Sequence, residues 1–132
     1  MNRFAKIVVI VSAASLLLVG VQPAGAITQV TTHTKMTVSD KSIHKGDLVK
    51  FKVHLSAAKA KCFKHMPIKL LKNGNQVAQK KTNDHGKVVF KKHPKKTAKW
   101  QAVFPGKKKG KHPKRVNCLP SHSKKIKVVV KK

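Results

Sequence analysis

The stretch LVKFKVHL, residues 48–55, alternates without a break: Val49, Phe51, Val53 and Leu55 are apolar, while Lys50, Lys52 and His54 are cationic or polar. Successive side chains of a β-strand point to opposite faces, so this period of two encodes a strand with one buried and one wet side. KWQAVF repeats the pattern with Trp100, Ala102 and Phe104 on one face. KKIKVVVKK sets Ile126, Val128 and Val130 against lysines. A sheet that is wet on one face is antiparallel far more often than parallel.

The remaining chain supplies more short strands and the turns between them. THTKMTVS reads as a first strand ending near Ser39, and DKSIHKGD as a turn-rich link through Gly46 and Asp47. After the loop SAAKAKCFKH, Ile68 and Leu70 share a face. Asn73-Gly74 is the pair favoured in tight hairpins, and Val77 begins the return strand. NDHG forms a second turn, with Gly86 suited to positive φ. KVVFK is another strand, after which KHPKKTA bends through Pro94. About seven strands at this spacing, with no amphipathic helix and no internal repeat, predict a seven-stranded antiparallel sandwich. Lysine takes the outward positions, where alternation demands a polar residue anyway, and lysine on edge strands discourages sheet-to-sheet pairing.

The first 26 residues have a different character. Arg3 and Lys6 precede an apolar run from Ile7 to about Val21, and Ala24-Gly25-Ala26 offers the small residues of a signal-peptidase site. The expected organisation is a cleaved signal peptide over residues 1–26, a flexible lead over 27–33 and one domain over 34–132. An uncleaved membrane anchor is disfavoured, because Ser12 and Ser15 interrupt the run and no basic stop-transfer cluster follows. The residue right after the cleavage point is Ile27, not a cysteine, which argues against a lipoprotein, and KVVVKK at the C-terminus carries neither a hydrophobic tail nor a sorting motif. The expected location is therefore secreted or cell-surface associated.

The chain carries 31 Lys and Arg against three carboxylates, Asp40, Asp47 and Asp84, for a formal net charge of +28. Cleavage would remove only two of the cations. Such a chain repels itself and draws polyanions: nucleic acid, anionic cell-wall polymers, acidic polysaccharide or anionic lipid. High charge alone would favour disorder, but the patterned apolar residues oppose that reading.

The chain has two cysteines, Cys62 and Cys118. In an exported chain two cysteines usually pair, and in a seven-strand sandwich these two loops lie at the same end. Closing that loop would stabilise the fold by about 4 kcal/mol in the chain-entropy model. Intermolecular pairing, or a reactive thiol activated by neighbouring lysines, is the alternative.

GDLVKFKVHL, Cys62, PIKLLKNGNQVAQKKTNDHGKVVF, KWQAVFPGK, Cys118 and the final KIKVVVKK together resemble small exported bacterial immunoglobulin-like domains. The order and spacing of the turn motifs carry the resemblance, over roughly residues 34–132. It implies an Ig-like β-sandwich at the cell surface or in the medium, in some cases a spacer or adhesion module, and no catalytic residues.

Chemistry narrows the functional classes. Three isolated Asp and no Glu leave no carboxylate pair for acid–base catalysis, and no Ser or Cys lies in a nucleophile motif, so no enzyme is expected. The eight histidines, His33, His44, His54, His65, His85, His93, His112 and His122, are scattered singly, so neither a metal site nor a cofactor is expected. Specific reading of nucleic acid needs a groove-entering element or exposed aromatics. Four of the five aromatics after residue 26, Phe51, Phe90, Trp100 and Phe104, take core-facing positions, and Phe63 reads as loop packing. Non-specific DNA binding in vitro and peripheral contact with anionic membranes stay open as secondary behaviours. The functional expectation is a non-catalytic domain binding anionic envelope polymers or other extracellular polyanions by electrostatics. Its densest cation clusters are Lys91, Lys92, Lys95, Lys96 and Lys99, and Lys107, Lys108, Lys109, Lys111, Lys114 and Arg115; Lys50 and Lys52 add to the field. The alternatives are an adhesion module recognising a protein or host glycan, or a cationic antimicrobial or DNA-binding secreted protein.

Overall fold

The computed structural model describes residues 27–111 and 114–132. The signal-peptide reading of residues 1–26, and His112 with Pro113, lie outside the described residues. Twelve strands account for most of the described chain: β1 Thr28–Val30, β2 Thr32–Val38, β3 Ser42–His44, β4 Val49–Ala57, β5 Pro67–Lys72, β6 Asn75–Lys81, β7 Lys87–Lys92, β8 Ala98–Phe104, β9 Lys107–Lys109, β10 Val116–Cys118, β11 Ser121–His122 and β12 Ile126–Lys131. A 3-10 turn, Ala60–Cys62, follows β4.

The strand count thus differs from the seven read from alternation. The seven strands of six residues or more, β2, β4, β5, β6, β7, β8 and β12, occupy the seven stretches read as strands from the sequence. The other five hold two or three residues each: β1, β3 and β11 are created by pairing with distant partners, and β9 and β10 by a local hairpin that β1 joins.

Two sheets form the body. β2-β4-β7 is antiparallel throughout. The larger sheet runs β3-β12-β8-β5-β6, with β3 parallel to β12 and β11 pairing with β8 beyond the end of β12. Their apolar faces meet in one core. Val49, Phe51, Val53 and Leu55 of β4 and Ala98, Trp100, Ala102 and Phe104 of β8 are all buried. Phe51 lies against Trp100 with ring centroids 4.6 Å apart. Met66, Ile68, Leu70, Val88, Phe90 and Val128 complete the interior. Each large apolar side chain so buried stabilises the fold by about 1.5–3 kcal/mol. The arrangement is an all-β fold consistent with a β-sandwich.

Buried hydroxyl groups are few and bonded. Thr82 donates its hydroxyl to Phe63 O at 2.6 Å and accepts from Met66 N at 2.9 Å, closing the loop before β5. Ser123 covers the gap between β11 and β12: its Oγ accepts from Ala102 N at 2.9 Å, and its N–H donates to Ala102 O at 2.9 Å. The two-residue hairpin is where Asn73-Gly74 predicts it. Asn73 (φ 50) and Gly74 (φ 85) join Lys72 to its partner Asn75.

Cys62 and Cys118 are disulfide-bonded, with both side chains fully buried and Cα atoms 5.4 Å apart. Cys118 ends β10, which corrects the expectation that both cysteines lie in loops. β9 and β10 form an antiparallel hairpin, Lys107 opposite Cys118 and Lys109 opposite Val116, and β1 adds to β10 in parallel. The stretch 27–33, read from sequence as a flexible lead, therefore contains β1 and the start of β2. Val30 is buried, and the Thr32 hydroxyl donates to Leu119 O at 2.7 Å.

Candidate functional site

β8 separates the two predicted lysine clusters. One cluster precedes and enters it, the other follows its end, and a seven-residue strand spans about 20 Å. The fold thus places Lys91–Lys99 and Lys107–Arg115 at opposite poles of the molecule and does not bring them together.

At the disulfide pole, Lys107, Lys108, Lys111 and Lys114 are exposed, and Lys109 and Arg115 are half-buried. The cross-link carries Lys61, which precedes Cys62, toward this hairpin. Partial burial lowers the Lys109 pKa from its ordinary value, and the like charges of Lys107, Lys81 and Lys61 lower it further. Four ammonium groups from three separate elements therefore share one neighbourhood. Lys61 and Lys81 are absent from the sequence-based clusters. The proximity of Lys61 follows from the disulfide, while that of Lys81 depends on where β6 ends in space.

At the opposite pole, Lys91, Lys95, Lys96 and Lys99 are exposed, and Lys92 is half-buried. Lys99 is tied to the β5–β6 hairpin through its backbone: Lys99 N donates to Asn73 Oδ1 at 3.0 Å, and Asn73 N donates to Lys99 O at 2.8 Å. Lys127 stands directly opposite Lys99 on β12.

A third cationic surface, the outer face of β2-β4-β7, joins the two poles. Lys50 and Lys52, expected to add to the field, lie here. Register places Lys35, His54 and Lys87 in one row across the three strands and sets Lys50 opposite Lys91. Cβ atoms of directly opposed residues stand about 4.5–5.5 Å apart, and like charges so placed repel. The signal for Lys35 and Lys87 was available in the sequence, since both occupy the outward phase of their strands.

The carboxylates do not offset this charge. Asp40 Oδ1 accepts from Ser42 N at 3.0 Å, and Asp47 Oδ2 accepts from His44 N at 3.0 Å. Asp47 also lies 3.8 Å from His44 Nδ1, and Asp84 Oδ1 lies 2.8 Å from His65 Nε2. Among the described residues no lysine or arginine forms an ion pair with a carboxylate. No group of three or more His, Cys, Asp or Glu among them is placed to hold a metal ion. No helix among them is long and apolar enough to cross a membrane. Chemically, the surface offers rows of ammonium donors that can pair with anionic oxygens at many positions. The chain matches no known protein family, no curated protein and no solved structure.

Proposed function

We propose that this chain is a non-catalytic, exported Ig-like domain that binds anionic envelope polymers or other extracellular polyanions through non-specific electrostatics. The strand order supports the Ig-like assignment: β2-β4-β7 facing β3-β12-β8-β5-β6 reads as A-B-E against A′-G-F-C-C′. The disulfide is consistent with an oxidising, extracellular environment. The observation that carries the binding reading is the absence of internal neutralisation among the described residues. All three carboxylates serve turns or histidines, so the lysine rows keep their counterions until a polyanion displaces them. The aromatic side chains Phe51, Phe90, Trp100 and Phe104 are buried, which leaves base stacking without a platform and favours charge over sequence as the basis of recognition.

The test is binding of the full chain, oxidised, to phosphate-bearing wall polymer, heparin, duplex DNA and anionic vesicles over a salt series. Binding to several of these at low salt, with log affinity falling linearly in log salt, is the expected result. Failure to bind any of them at low salt overturns the proposal. Saturable binding to one protein or glycan that survives physiological salt would transfer the assignment to an adhesion module.

A further inference from the structure

The pole away from the disulfide holds two lysines at positions that the strand pattern reserves for the core. On β5, Leu70 pairs with Ala102 and Lys72 pairs with Trp100, so Lys72 shares the inward face with buried residues. On β7, Val88 and Phe90 are buried and Lys92 follows in the same phase. Both lysines are half-buried and stand where the two sheets part. Between them opens a cavity of about 250 Å³ lined by Lys72, Val77, Lys92, His93, Pro94, Lys95 and Trp100.

Three features of this cleft point to one ligand chemistry. Its lining holds three lysines and a histidine but no carboxylate. The nearest acidic segment is engaged elsewhere: His93 Nδ1 donates to Gly46 O at 2.9 Å, while the neighbouring Asp47 carboxylate is held by the His44 N–H. The Lys72 ammonium lies 5.8 Å from the centroid of the Trp100 ring. The Trp100 indole N–H is buried and has no acceptor among the described residues. A buried donor without an acceptor is rare in folded proteins and calls for an explanation.

We propose that this inter-sheet cleft is a phosphate-binding site, seating one phosphomonoester or phosphodiester group of an anionic ligand. Lys72, Lys92 and Lys95 supply the charge, acting as point-charge phosphate binders. Val77 and Pro94 supply an apolar wall for the carbon skeleton attached to the phosphate. The site rests on the polyanion reading and sharpens it, because it makes one pole discriminating within a field that is otherwise indifferent.

Trp100 is the only tryptophan in a chain without tyrosine, so its emission reports directly on the cleft. Inorganic phosphate, pyrophosphate and glycerol phosphate are titrated into the full oxidised chain, with sodium chloride adjusted to hold ionic strength constant. The expected result is a saturable change in Trp100 emission with the phosphates and none with chloride alone. Lys72→Gln/Lys92→Gln should weaken the phosphate response about tenfold or more, and the exposed-link variant Lys95→Gln should weaken it without risk to the fold. Lys107→Gln/Lys109→Gln, at the far pole, should leave it unchanged. Absence of a saturable response, or equal responses from wild type and both cleft variants, overturns the site. A polymer arm separates this failure from failure of the parent reading. If the cleft alone is wrong, Lys72→Gln/Lys92→Gln binds phosphate polymer and heparin no more weakly than Lys107→Gln/Lys109→Gln, which removes the same two charges at the far pole. If the polyanion reading is wrong, neither polymer binds wild type at low salt.

Discussion

Gly86 ends the turn before β7 with φ +77, and its carbonyl accepts from Leu55 N at 2.8 Å. A Cβ there would run into the Leu55 carbonyl oxygen and press on the Phe63 side chain. Gly86→Ala should therefore cost about 1–3 kcal/mol, read as a lower urea midpoint at unchanged m-value. Lys109 gives a second single-residue expectation, in the opposite direction. Its folded pKa lies below the ordinary 10.5, so the unfolded chain holds this proton more tightly. Below the lowered pKa the folded state bears the partial desolvation of the Lys109 ammonium and its repulsion from Lys107, Lys81 and Lys61. Stability contributed at this site rises as pH climbs through the lowered pKa toward 10.5. Lys109→Gln should accordingly be more stable than wild type at pH 7, with the advantage shrinking in urea titrations as the pH approaches 10.5.

At the level of elements, sequence and structure agree where side chains alternate over six residues or more. β4 and β8 are legible down to the buried partner of each lysine because the period persists long enough to register. β1, β3, β9, β10 and β11 are too short to show a period, and β9 is three consecutive lysines. Four of these strands meet distant chain, β1 beside β10, β3 beside β12 and β11 beside β8, while β9 pairs with β10 in a local hairpin. The same limit applies to the candidate site. Lys92 follows Val88 and Phe90 in phase, so its inward position is readable, but the cleft it shares with Lys72 depends on how the two sheets part. The disulfide holds the smallest of these assemblies to the body. Cys62→Ala/Cys118→Ala should lose about 4 kcal/mol, judged from the 56-residue separation. In hydrogen exchange, the amides of β9 and β10 should lose protection well before those of β4 and β8.

For the whole molecule the governing quantity is a net charge of +28, with no lysine or arginine paired to a carboxylate among the described residues. Proteins laced with salt bridges lose stability as salt screens attraction; here salt screens repulsion. Raising ionic strength from a few millimolar to about 0.15 M, where the Debye length falls to about 8 Å, should raise the thermal midpoint. Polymer binding should move the opposite way over the same interval. Replacing Lys107, Lys108 and Lys109 by Gln should weaken duplex DNA binding only in part, lowering the salt slope by about 0.9 for each phosphate that is no longer neutralised.

The hairpin at the disulfide pole also bears on survival among proteases. Lys111 and Lys114 near its tip are exposed, and a trypsin-like enzyme cutting after either would cleave between residues 62 and 118. The Cys62–Cys118 bond spans that cut, so the nicked chain stays one covalent molecule, heavier by a water, until a reductant separates the pieces.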